Sequence, residues 1–332
     1  MSVITASVSG MNRVGVMVPC RLPPARLVSL ARQAEEAGLD EVWVVEDCFF
    51  TGGVAVASSV LAATERITVG IGVLPTVARN PAIAAMELAT LAGLHPGRLI
   101  AGFGHGVPSW MRQIGAYPPS PLAALRETLT TVRGLLAGER ISFQGKHVRL
   151  DDVQLEFPPE VVPPVLSGVR GPRSLAVSGA AADGTILAEP SSPEYVRAAL
   201  ASITEGAGEP GAPERHSIVA YNFFAMDDDP ARARALVRPY VVGCLQESTA
   251  PHIRPLPFAG DLLSLIEQGA DLSADLSPEW VDRLSISGDQ TRCVEQVRAL
   301  HGAGAESVVL IPVGEEDKAI AAAGAVAEAA KR

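Results

Sequence analysis

Hydrophobic and polar positions switch between two periods along the first hundred residues. Short apolar runs at Val14–Val18, Glu41–Val45 and the β-branched Arg66–Ile71 read as strands, each followed by a helical stretch. Pro24–Ala37 carries Leu27, Leu30, Ala31, Ala34 and Ala37 at helical spacing and stops at Gly38. Val54–Ala63 is helical by composition, Pro81 opens a helix to about Ala92, and Gly97 precedes a fourth strand at Arg98–Ala101. Strands this continuously apolar predict a parallel sheet buried on both faces. The rhythm breaks at Ile141–Phe157, where period-two alternation around Gln144-Gly145-Lys146 predicts a hairpin insert. It resumes with strands at Pro163–Ser167, Gly184–Ala188 and His216–Ala225, separated by helices over Pro172–Ala181 and Pro193–Thr204. A mainly helical insert with a Pro-rich break, Ala250–Pro257, covers 230–285. A helix at Asp289–His301, an eighth strand at Ser307–Ile311 and an Ala-rich helix complete the chain. Eight alternating units without a linker predict one (β/α)8 TIM barrel with insertions over 1–332. Two doubly wound sheets are the alternative, but they need a switch point and a linker that the sequence lacks.

Composition narrows the partners. The 332 residues are 48% hydrophobic with a net charge of −10, a globular balance, and no basic run offers a surface for nucleic acid or anionic membrane. No window holds about 18 uninterrupted apolar residues. Residues 1–13 lack a basic segment followed by an apolar one, so no secretory signal is expected. Cys20, Cys48, Cys244 and Cys293 form no CxxC pair. Neither a metal site nor a disulfide framework is expected, and a reducing cytoplasm is the expected setting.

In such a barrel the chemistry lies at the C-terminal ends of the strands. That rule selects Pro19-Cys20-Arg21, Glu46-Asp47-Cys48, Gly72–Thr76, Gly102–Ser109, Ser167–Arg173, Glu189, Asn222 and Pro312. In Ser167-Gly168-Val169-Arg170-Gly171-Pro172, glycines after a strand and a proline at a helix start expose N–H groups where an anion is favoured, with Arg170 or Arg173 adding charge. A tight turn that needs glycine for its backbone angles is the plainer alternative. Substituting Gly168 by Asp is expected to weaken anion binding and spare the fold. Gly102-Phe103-Gly104-His105-Gly106 is spaced GxGxG, not GxGxxG, so close approach to a flat ligand fits better than a dinucleotide fingerprint. His105 either faces the mouth or is a surface histidine. Of the adjacent Glu46 and Asp47, at most one side chain can point into the site. No nucleophile elbow, HExxH or P-loop occurs.

The runs AEEAGLDEVWVVED, ATERITVGIGVLPTVARNPAIAAMELATLAGLHPGRLIAGFGHG, PPVLSGVRGPRSLAVSGAAADGTILAE and SGDQTRCVEQVRALHGAGAESVVLIP resemble the luciferase-like monooxygenase superfamily. Within it they resemble the branch that uses the deazaflavin coenzyme F420, typified by methylenetetrahydromethanopterin reductase. The resemblance spans nearly the whole chain and implies a TIM barrel, hydride transfer to or from a small organic substrate, and commonly a homodimer. The small-residue surfaces Ala250–Pro257 and Ala319–Ala330 are the expected contacts. It places the ring over a bulge after the third strand, with a non-prolyl cis peptide at Gly72–Val73. Thr76, Gly102, Gly104 and Gly106 would line the ring and its side chain, and Gly168–Gly171 would hold the phosphate. Relatives that oxidise sugar phosphates or alcohols carry Asp-His where this chain has Glu46-Asp47, so Asp47 stands in the place of a proton-transferring histidine. An acid of the relatives is replaced by Val107, so neither substrate carries over. Asp47 is the expected proton-handling group, His105 second, with Glu46 and Glu189 in support. An upward pKa shift at Asp47 is expected from apolar neighbours and from Glu46 beside it. The alternatives are an FMN-dependent monooxygenase, whose known members are usually longer, and a noncatalytic flavin- or deazaflavin-binding barrel.

Overall fold

A computed structural model describes residues 12–332 and the backbone of Ile4–Thr5; most of the segment read for a leader lies outside the described residues. Eight parallel strands close into a barrel: β1 (Arg13–Met17), β2 (Glu41–Val44), β3 (Thr68–Pro75), β4 (Leu99–Gly104), β5 (Val165–Gly168), β6 (Gly184–Leu187), β7 (Ser217–Met226) and β8 (Ser307–Pro312). Each strand pairs with its neighbour in sequence, and β8 returns to β1 with Val308 opposite Val14. That closure leaves no free edge and excludes two separate doubly wound sheets.

Around the strands lie α1 (Pro24–Glu36), α2 (Gly53–Ala63), α3 (Pro81–Leu94), α4 (Pro121–Leu136), α5 (Pro172–Ala181), α6 (Pro193–Ala207), α7 (Gln290–Gly302) and α8 (Glu316–Ala330). Proline opens α1, α3, α4, α5 and α6, where its missing N–H would be unpaired anyway. The hairpin insert is an antiparallel pair, Ile141–Gln144 with Arg149–Val153, shorter than the alternating run. The 230–285 stretch is helical in pieces. Beyond it, the unforeseen short strand Ile286–Gly288 pairs with the end of β7. Among the described residues no helix is long and apolar enough to cross a membrane.

Period-two geometry sorts each strand into inward and outward residues. On β2, Glu41 and Trp43 face inward. The indole is fully buried because the neighbouring strands offer glycines: a Cβ on Gly70 would lie 2.3 Å from the Trp43 ring, and one on Gly15 3.3 Å. Beneath it the buried Glu41 carboxylate pairs with Arg13 and accepts from Trp43 Nε1 at 2.8 Å and Ser307 Oγ at 2.6 Å, stoppering the N-terminal end. Trp43, Leu166, Tyr221 and Val309 form an inner cluster that continues into Val237, Val241, Leu262 and Leu284 of the helical segment. A separate outer cluster joins strands to helices.

Much of two expected contact surfaces is buried within the chain, although residues such as Arg254, Pro257 and Ala321 stay exposed. Within Ala250–Pro257, His252, Ile253 and Leu256 are buried. On α8, Ala319, Ile320, Ala323, Gly324, Val326 and Ala327 are buried, and a Cβ on Gly324 would stand 2.6 Å from the Ala37 carbonyl just after α1. These small residues serve close helix contacts within the chain.

Candidate active site

The floor of the barrel mouth is set by β3. Its pairing with β4 slips between Ile71 and Leu74, and the Gly72–Val73 peptide at the slip is cis. This bulge carries β3 on to Pro75, past the predicted end at Ile71. The Val73 side chain leans over the ends of β4 and β5. A Cβ at Gly104 would lie 2.8 Å from Val73 Cγ2, one at Gly168 2.5 Å from Val73 Cγ1, and one at Gly102 2.3 Å from the Ile71 carbonyl. These glycines therefore exist first to seat the bulge. Beneath, a Cβ at Gly72 would meet the Tyr221 hydroxyl at 2.4 Å. Thr76 is buried, and its N–H donates to the Gly104 carbonyl at 2.9 Å. Gly106 turns the chain at a φ of +71°.

At the β5–α5 junction, Gly171 caps the helix without a side-chain hydrogen bond, leaving its first-turn N–H groups for another partner. A Cβ on Gly171 would meet nothing within 4 Å, so the space before the helix is open. Val169 is only 4% exposed and packs in the outer core, so its backbone alone can face a ligand. The expectation that Gly168→Asp spares the fold is corrected: the new side chain would strike Val73, and Gly171 is the position with room.

The two adjacent carboxylates divide their work. Glu46 binds Arg79 through both oxygens, at 2.8 and 2.9 Å, and accepts the Gly53 N–H at 2.8 Å, tying the start of α2 to the loop after β3. Asp47 continues the inward parity of β2. Burial pushes its carboxyl above the ordinary range, against a hydrogen bond from Cys20 Sγ at 3.6 Å. The upward shift is present, but its expected second cause is not: the Glu46 charge is matched by Arg79.

Glu189, just past β6, closes the other side of the mouth. Burial raises its carboxyl, its own backbone N–H and Arg170 pull it back, and Asp47 adds to the rise. Arg170 also acts on two groups supplied by the helical segment. Cys244 is pushed up to about 12 by burial and Glu189, against Arg170. His252 is held down at about 3 by burial and then by Arg170. His252 stacks on Tyr195 at 3.9 Å, its Nδ1 lies 3.0 Å from the Pro190 carbonyl, and Tyr195 Oη donates to the Arg170 carbonyl at 2.9 Å. This wall went unread in the sequence, because nothing in a lone His or Tyr marks a partner 57 residues away. His105 is half-buried with Nε2 3.0 Å from Ser174 Oγ in the first turn of α5, and burial lowers its pKa against the Pro121 carbonyl. Asn222 is occupied elsewhere, exchanging hydrogen bonds with the Ser191 backbone at 3.0 and 2.6 Å.

A closed (β/α)8 barrel with a bulged floor, an uncapped helix start and half-buried carboxyls at its C-terminal mouth has its candidate site where barrel enzymes carry theirs. Residues 3–307 match the luciferase-like monooxygenase family, and the chain belongs to that family. It is 29% identical to the 5,10-methylenetetrahydromethanopterin reductase of Methanolobus tindarius, covering 90% of this chain and 94% of that one. It is also 29% identical to the F420-dependent glucose-6-phosphate dehydrogenase of Kineococcus radiotolerans over 88% of each chain. The solved coenzyme F420-dependent tetrahydromethanopterin reductase from Methanopyrus kandleri superposes with a TM-score of 0.80 at 23% identity, covering 95% and 98% of the two chains.

Proposed function

We propose that this chain is a coenzyme F420-dependent oxidoreductase that moves a hydride between the deazaflavin and a small organic molecule, with Asp47 handling the accompanying proton. The observation that carries the reading is the mouth itself: an uncapped helix start open at Gly171 after β5, and after β2 a carboxyl that burial holds toward protonation. The bulge at Gly72–Val73 and the α5 start fit a flat ring with an anionic tail. Gly72, Val73 and the Gly102–Gly106 segment would bed the ring. The backbone of Gly168–Gly171 with Arg170 or Arg173 would hold the phosphate. When bound, F420 supplies the hydride-carrying centre. Glu189 lies within electrostatic reach of Asp47, whose charge adds to the rise that burial gives the Glu189 carboxyl. His105 acts through Ser174 to fix the start of α5. Relatives named for F420 favour the deazaflavin over FMN.

Parallel titrations with F420 and FMN test this: tight F420 binding with weak FMN binding is expected, and the reverse order would move the chain to the FMN monooxygenases. Binding of F420 with no turnover across a panel of alcohols, aldehydes and sugar phosphates would favour the noncatalytic barrel.

The expected homodimer has a better surface than the one read from sequence. Phe49 and Phe50 before α2 are 67% and 59% exposed, and Ile83 and Met86 on α3 are 47% and 51% exposed. Phe50 and Met86 line grooves on either side of α2, and exposed apolar side chains of this kind would be covered by a second copy of the chain. Sedimentation at graded concentrations tests it: a dimer is expected, with Met86→Glu shifting the protein toward monomer. A native monomer at all concentrations would remove the proposal.

A further inference from the structure

The Asp47 carboxyl has one side-chain hydrogen-bond partner among the described residues, and it lies on the neighbouring strand. Met17 of β1 stands opposite Trp43 of β2, so Cys20 and Asp47, three and four residues further on, reach the same part of the mouth. Cys20 Sγ lies 3.6 Å from Asp47 Oδ2, a hydrogen-bonding distance for sulfur. We infer that Cys20 is a positioning residue, whose thiol donates to Asp47 and fixes the direction in which that carboxylate faces the barrel mouth. The inference rests on the reading of Asp47 as the proton-handling group.

The chemistry of the donor explains why a thiol serves here. Burial pushes the Cys20 thiol up to about 12, and the charge of Asp47 and the bond to it add to the rise, with Arg21 opposing. Cys20 thus keeps its proton at working pH and acts as a donor. A thiol is a weak donor. A hydroxyl or guanidinium would hold the carboxylate ionised; the thiol orients it and leaves it able to take a proton. The charges facing Asp47 come from three sides. Glu189 lies past β6, Cys48 is next in sequence with its thiol kept protonated by burial and by the Glu46 and Asp47 charges, and Glu46 is paired with Arg79. Against burial, Cys20 is the group that draws Asp47 back toward ionisation.

The S–H stretching band of Cys20, isolated by infrared difference between the native protein and Cys20→Ala, reads this bond without any substrate. Cys20→Ser supplies the difference if the alanine variant fails to fold. The expected band lies below that of a free thiol and moves up as Asp47 is protonated, with a midpoint above about 4. In Asp47→Asn the pH dependence should vanish, and alkylation of Cys20 by iodoacetamide, followed by peptide mass spectrometry, should run several-fold faster. A band at the free-thiol position, or one that Asp47→Asn does not change, overturns the role of Cys20. Turnover of Asp47→Asn is read separately: undiminished turnover overturns the reading of Asp47, and the positioning role with it.

Discussion

Replacing the Asp47 carboxyl by an amide keeps its shape and removes its proton chemistry. Asp47→Asn is expected to bind F420 as the native protein does and to turn over about a hundredfold more slowly or worse, the usual scale for losing a general acid or base. Because burial raises the Asp47 carboxyl, the form able to accept a proton is lost as pH falls through a value above the ordinary 4. Rates of substrate oxidation should fall across that range, and the limb should be absent in Asp47→Asn. The glycines of the mouth separate just as cleanly. Gly171→Asp places a negative charge in open space at the α5 start and should weaken F420 binding at least tenfold, with an unchanged melting temperature. Gly168→Ala adds only a methyl, but 2.5 Å from Val73, and should lower the melting temperature. Equal F420 affinity in Gly171→Asp and native protein would remove the phosphate from that helix start.

Between elements, the Glu46–Arg79 pair holds the loop after β2 to the loop after β3. Glu46→Ala leaves a half-buried guanidinium with only its longer contact to Glu87, at 3.6 Å, and should cost about 2 kcal/mol, visible as a lower urea midpoint, while turnover per folded molecule is retained. Loss of turnover at full stability would instead place Glu46 in the chemistry. This division of labour was half legible. The alternation of EVWVVED puts Glu41, Trp43 and Asp47 on one side of β2 and Glu46 on the other, and the strand ends pointed to the mouth. The partners were not legible, because Arg79 and Cys20 lie 33 and 27 residues from the carboxylates they touch, and a single sequence carries no signal for such distances. The burial of the Val169 side chain was not legible, because a single residue in a loop between glycines shows no period. The strand Ile286–Gly288 was missed because three residues are too few to show a period.

For the molecule as a whole, buried histidines set the acid limit. Burial holds His252 at about 3 and His216 at about 4, both well below the usual 6.5. The unfolded chain therefore takes up protons that the folded chain refuses. The stability they help maintain is complete above 6.5 and drains away as pH falls toward their folded values. By pH 5 the loss should be about 2 kcal/mol for each histidine, measured as a drop in urea midpoint between pH 7 and pH 5. His252→Phe should flatten part of that slope; an unaltered slope would assign the acid sensitivity elsewhere.

The barrel closes by joining Val308 to Val14, and its inner cluster is completed by residues 237–284. A ribosome releasing this chain from its N-terminus thus exposes the inward faces of β1 and β2 long before their covering exists. Local helix–strand units can form early, but the seam waits for the final strand, nearly three hundred residues later. The half-made protein carries bare apolar strands through most of its synthesis, a stage at which chaperones rather than its own contacts must keep it from sticking.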